Sequence, residues 1–432
     1  MTEYGVRGKW IGLSIILASL FLPTHFEVAS IRFTPSLVVL IFAAPFAAGL
    51  FFAQRQRIRL PDVLIMAFVC WQGLTIAMNN PGRFVEFTGQ QTLMTLGGYL
   101  IGRTMIRDAR DLAALIRIGG AIVVFSLPFA LYEALTDDPI VLLWIDQYTG
   151  FDTFIPNDYE PRLGLHRAQW VFTHPIHYGL LGAFFLPLVV LGLRGADRPV
   201  FRMSCGLLIF SACVLSVSSG AILAAFLQAG VYIWYRLAKL FGPPWRIVLA
   251  TGAVLYVVLE AITTKSAFFA ISGRLAINPQ TAHYRTLIWD YGSAQVVRTP
   301  IFGNGYNYWP RPHWMVSSVD NYWLQQAMVH GVPAVACVAG ALVYAVVAVN
   351  RGQDNDAMRL AWTLFLIGFA MSAATVAIWG EIQTLFMILF GAGLWMLPRK
   401  AIAPNVRTPR PFSRNIAPRL TRFPAGQTGS TA

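Results

Sequence analysis

Two stretches of this chain collect residue types that apolar packing does not need. The first holds Arg162, His166, Arg167, Trp170, His174 and His177, and the second runs from Arg274 through Arg285 and Arg311 to His313. The planar fork of arginine donates two hydrogen bonds at once, so clustered arginines point to an anionic, phosphate-like ligand. For any single one of them, ion pairing with a nearby acid such as Glu160 or Asp290 is the plainer alternative. Just beyond the second stretch, "SSVDNYWLQQA" (Ser317–Ala327) opens a long apolar run with Asp320 and Asn321. A carboxylate there could take a proton from a substrate hydroxyl as a general base. It could equally cap the helix that follows, a task open to Ser317, Ser318 and Asn321 as well. His313 is a further candidate base.

The pair His174 and His177 in "HPIH" has a spacing that a helix could use for metal, but Pro175 interrupts it. No HExxH pattern or cysteine pair accompanies it, so no metal is expected. The four cysteines all lie in apolar runs, as packing residues outside any disulfide framework.

What positions these residues is a membrane. Of the 432 residues 56% are hydrophobic and 12% charged, against the ~25% charge of soluble domains. Charge-free blocks such as 36–53, 203–234 and 331–349 are long enough to cross a hydrocarbon core of about 30 Å. The sequence predicts an all-α polytopic protein with twelve spans near 10–23, 36–53, 62–78, 89–106, 112–134, 176–193, 203–218, 220–236, 246–263, 321–349, 360–379 and 382–397. With the N-terminus inside, 24 of the 33 lysines and arginines fall on the cytoplasmic side. That bias predicts both termini in the cytoplasm. The net charge of +13 is thereby a topology signal and not a mark of nucleic-acid binding. Residues 1–397 form the membrane domain, and 398–432, basic and free of acidic residues, read as a disordered cytoplasmic tail.

Two outer loops are long, about 135–175 and 264–320, and seven of the nine outer basic residues sit in them. Within the second, "TAHYRTLIWDYGSAQVVRTP" (281–300) spaces Tyr284, Leu287, Ile288, Tyr291 and Ala294 as one face of a surface helix. Arg285 at the edge of that face could point over a cavity or snorkel to headgroups.

In this order the pieces resemble the O-antigen ligase and polymerase family of bacterial membrane proteins. The resemblance rests on "HYRTLIW", "RTPIFGNGYN" and "VDNYWLQQAMVHGVPA", with "HRAQWVFTHPIHYGLLGAF" upstream at the start of a span. It implies transfer of a glycan from an undecaprenyl-diphosphate carrier to a glycolipid or glycan acceptor at the periplasmic face of the inner membrane, with no cofactor. It implies that Arg167 and Arg285 hold the diphosphate and that the Asp320–Asn321 pair serves the acceptor hydroxyl. Arg162, Arg274, His174 and His313 are the remaining candidate binding residues. Three departures stand out: Asp320 where the family has His, Ser219 where it has Arg, and no Asn directly after Pro175. Ligase and repeat-unit polymerase both fit, and a twelve-span secondary transporter is the alternative from another class. Such a transporter would place its polar groups at mid-span, whereas here they crowd at one face. The transfer reading predicts that Arg167 and Arg285, far apart in sequence, flank one diphosphate at about 10 Å separation.

Overall fold

The computed structural model describes residues 3–28, 31–155, 160–262, 279–351 and 357–398. Arg274 and the basic tail beyond Pro398 lie outside the described residues. The chain is mostly helical. Helices α1 (Glu3–Leu20), α2 (Pro35–Ala53) and α3 (Leu60–Asn79) open it. Next, α4 (Phe84–Thr92) runs through a π turn at Leu93–Gly97 into α5 (Gly98–Met105), making one rod. Helices α6 (Ala109–Thr136), the short α7 (Ile140–Thr149), α8 (Pro175–Pro187), α9 (Pro199–Leu215), α10 (Ser219–Ala238) and α11 (Pro244–Ile262) follow. The chain ends with α12 (Pro279–Arg298), α13 (Tyr322–His330), α14 (Val332–Val349), α15 (Ala357–Ser372) and α16 (Gly380–Gly393).

Among the described residues, six helical segments are long and apolar enough to cross a bilayer: α2, α3, α6, α8 with its π extension to Gly192, α10 and α14. Five more, in α1, α9, α11, α15 and α16, are apolar but shorter. The twelfth expected span falls on the α4–α5 rod. Phe42 and Phe52 on α2 and Phe125 on α6 are each at least 66% exposed, as rings that face lipid would be. The centre, by contrast, is closed: Gly102 of α5 lies so close to α16 that an added Cβ would overlap the Ile388 carbonyl. Small residues permit such backbone approach where lipid removes the hydrophobic drive between helices.

Three expectations need correction. The chain is not purely helical, because β1 (Thr24–Val28) pairs antiparallel with β2 (Ile31–Phe33) and β3 (Asp152–Thr153) in the order β2-β1-β3. Strands of two to five residues are too short for alternation to show in sequence. The run 321–349 is not one helix but breaks at Gly331, whose φ of +81° suits glycine and where an added Cβ would overlap the Ile301 carbonyl. Finally, the buried stripe of α12 is Ile288, Gly292 and Gln295, with Tyr291 exposed. The side chains of Leu324 and Met328 on α13 press against Gly292 within 2.9 Å of where a Cβ would stand, which turns that face inward.

The short helix α13 is held from three sides. The Asn304 and Gly305 N–H groups donate to the Met328 and Val329 carbonyls, at 2.7 and 3.0 Å, so the "FGNGYN" turn seats on its last residues. Gln72 and Thr75 of α3 bond Gln326 and His330 at 3.2 and 2.8 Å. At its start, the Tyr322 N–H donates to the Ala373 carbonyl at 2.7 Å and the Val376 carbonyl at 3.0 Å. The same loop, 373–379, meets three other helix beginnings. His177 in the first turn of α8 lies 3.4 Å from the Ala377 carbonyl, a Cβ on Gly220 of α10 would stand 2.8 Å from Val376, and Trp379 precedes α16.

Candidate functional site

The site is built where α6, the 162–174 segment, α12 and the start of α13 meet. The last turn of α6 carries Glu133, whose two carboxylate oxygens accept the N–H groups of Gln169 and Trp170 at 2.9 Å each. The His166 N–H donates to the Ala134 carbonyl and the Ala168 N–H to the Leu215 carbonyl. With four backbone donors between 166 and 170 committed, the segment has one path, and Arg167 is held on it at 8% exposure. Arg162 stands at the base of a two-residue turn closed by mutual backbone bonds with Leu165. Leu163 and Gly164 both take positive φ there, the conformation that reverses a chain most tightly.

Arg285, one turn before Ile288 on α12, has its Nε buried without a hydrogen-bond partner among the described residues. Burial pulls its guanidinium below the usual range, the Asp320 charge supports it, and the Arg162 charge opposes it. Burial likewise pushes the Asp320 carboxyl above its ordinary value, against the pull of Arg285 and then Arg167. Arg162 is lowered by burial, with Glu160 acting the other way. Arg162, Arg167, Arg285 and Asp320 therefore share one half-buried electrostatic neighbourhood, although 158 residues separate its ends in sequence. Asp320 and Arg285 do not close into an ion pair. The carboxylate makes no hydrogen bond to the described residues, so it remains available to a ligand.

Capping falls to Asn321, whose Oδ1 accepts the Leu324 N–H at 3.0 Å while its carbonyl accepts the Gln325 N–H at 2.8 Å. Its oxygen is thus committed to the helix. His174 is also a cap: Nδ1 accepts the Ile176 N–H at 3.1 Å at the head of α8. Burial, then the charges of Arg167 and others, lowers it to about 3, so it stays neutral and is a weak base beside Asp320. His313 is exposed on the turn where the Met315 N–H bonds the Pro312 carbonyl, and it is not among the charges that act on Asp320. Among the described residues no cluster of His, Cys, Asp or Glu has the makings of a metal site.

The sequence reading gave Glu133 no part in the site. The available signal was a lone carboxylate in the last turn of an apolar helix, where the helix dipole disfavours it and some other partner must compensate.

Residues 205–339 match the family model described as O-antigen ligase. That stretch, 135 of the 432 residues, is thus similar to the O-antigen ligase and polymerase family. A search of curated proteins found no match. The matched stretch includes Arg285, the "FGNGYN" turn, Asp320 and the break at Gly331, while Arg162, Arg167 and His174 lie upstream of it. The match, with the apolar helices, supports a multi-pass membrane protein of polysaccharide biosynthesis. It also implies a lipid-linked glycan donor and a glycan or lipid acceptor.

Proposed function

We propose that the protein transfers a glycan from undecaprenyl diphosphate to a glycolipid acceptor at the periplasmic face of the inner membrane, with both termini in the cytoplasm. The observation that carries this reading is the unpaired Asp320 carboxylate within the field of Arg285 and Arg167. The acceptor O–H gives its proton to Asp320 as its oxygen bonds the anomeric carbon. The bond from that carbon to the phosphate oxygen breaks, and its electron pair leaves on the diphosphate. Arg285, Arg167 and Arg162 meet the charge that grows there, in a half-buried setting where such charge is worth most. Displacement from the opposite face inverts the anomeric centre.

The family match favours transfer over the transporter alternative. Between ligase and polymerase, deletion of the gene followed by analysis of carrier-linked glycans decides. Accumulated carrier-linked polymer marks a ligase, and accumulated single repeats mark a polymerase. Unchanged glycolipids and carrier pools overturn the transfer reading.

A further inference from the structure

We infer that a second pocket, under the 304–311 loop, holds a sugar ring of the glycan; this rests on the transfer reading above. The pocket has a volume of about 300 Å³, at the small end of ligand sites. Its walls are Tyr306 and Tyr308 from the loop, Gln295 of α12, Gln325 of α13, and Ser317 and Ser318. Trp309, 6% exposed, is its buried floor, whereas the Tyr308 ring stands 73% exposed.

The chemistry of these walls is selective. Among the described residues, no carboxylate or lysine lines the pocket. The charge among its described lining residues, Arg311, is already spent on the Met315 and Trp309 carbonyls and stacks on the Trp309 and Tyr308 rings. The asparagines of the loop are also spent: Asn304 and Asn307 bond the Tyr308 and Asn79 carbonyls, and so hold the loop in place. The side chains of Ser317, Ser318 and Gln325 differ, because they make no hydrogen bond to the described residues. An exposed flat ring beside unspent hydroxyls and an amide suits a ligand that is uncharged, rich in hydroxyls and apolar on one face. A pyranose has these properties. Ser317–Val319 line the pocket and run directly into Asp320, so a ring bound here adjoins the proposed reacting centre. The ring could belong to donor or acceptor.

The test uses the full chain in membranes with Tyr308→p-benzoylphenylalanine, and Trp289→p-benzoylphenylalanine as a reference one turn from Arg285. The probes are tritiated carrier-linked glycan, extracted from cells lacking the gene, and tritiated membrane glycolipid. The expected result is light-dependent label at position 308 that free oligosaccharide, released from the carrier by mild acid, displaces. Label from the carrier-linked glycan assigns the donor's sugar, and label from the glycolipid alone assigns the acceptor's. Gln325→Ala should raise KM about tenfold at unchanged kcat, the mark of lost uniform binding. Label at position 289 without label at 308, or label at 308 that free oligosaccharide does not displace, overturns the pocket and leaves the transfer reading standing. No label at either position overturns both.

Discussion

Asn321 caps the short helix α13, and Asp320, its neighbour, makes no hydrogen bond to the described residues. Two adjacent residues that could each have capped are thus divided between a structural task and an unspent carboxylate. Asp320→Asn should reduce glycan transfer by about two orders of magnitude or more, the usual worth of a general base. Asp320→His should recover part of it. Folding should not suffer, because the carboxyl is harder to ionise in the fold than in the unfolded chain. Its ionisation at neutral pH weighs against the folded state, so the Asn variant should be at least as stable in thermal unfolding. Full activity in that variant would return the search for a base to His313.

The same residue sets a pH dependence. The base must be ionised to act, so the rate should fall as pH drops through the raised Asp320 value. The acid limb should therefore lie above 3.8, the ordinary figure for this carboxyl. His174, lowered to about 3, should add no limb near neutrality. The pH profile of kcat/KM with the wild-type chain and with Asp320→His checks both statements.

Asn321→Ala should act the other way from Asp320→Asn. Loss of the bond to the Leu324 N–H should cost about 1 kcal/mol of stability, visible as a lower unfolding temperature.

Arg285→Lys keeps the charge and loses the fork. Transfer should fall roughly ten- to a hundredfold, the worth of one charge-assisted hydrogen bond, while expression and membrane insertion are retained. Near-normal kcat/KM would argue against direct contact with the diphosphate.

Glu133→Gln tests the clamp on the 166–170 segment. The amide can accept only one of the two N–H groups that Glu133 now accepts, and its NH₂ faces the other. Stability should drop by about 1–3 kcal/mol. Activity should drop with it, because Arg167 loses its fixed path. A variant that unfolds earlier yet keeps full kcat/KM at low temperature would confine Glu133 to stability.

Much of the molecule was readable from residue types. Charge-free runs located the apolar helices because burial and lipid both exclude charge there, and the division between α9 and α10 lies at Ser216–Ser218, about two residues before the expected Ser218–Gly220. Arg167 and Arg285 stood out because arginine was scarce on the side assigned to them. What could not be read depends on chain direction or distant partners. Whether Asp320 or Asn321 caps is decided by which one takes the extended φ of −158° at the helix start, and both types permit it. The break at Gly331 follows from a loop thirty residues earlier, whose Ile301 carbonyl occupies the space a side chain would need. The role of Glu133 could not be read because its partners, Gln169 and Trp170, lie in another segment.

The gathering of α8, α10, α13 and α16 about the 373–379 loop has an electrical consequence. Each helix start carries the positive end of a helix dipole, worth about half a charge. Peptide dipoles do not titrate, and those oriented inside a packed bundle are poorly reached by counterions. The four dipoles bias this end of the molecule toward positive potential, and Glu381 in the first turn of α16 lies where such a dipole favours a carboxylate. An anionic substrate would meet an attraction fixed by the course of the backbone itself, which no single side-chain substitution can switch off.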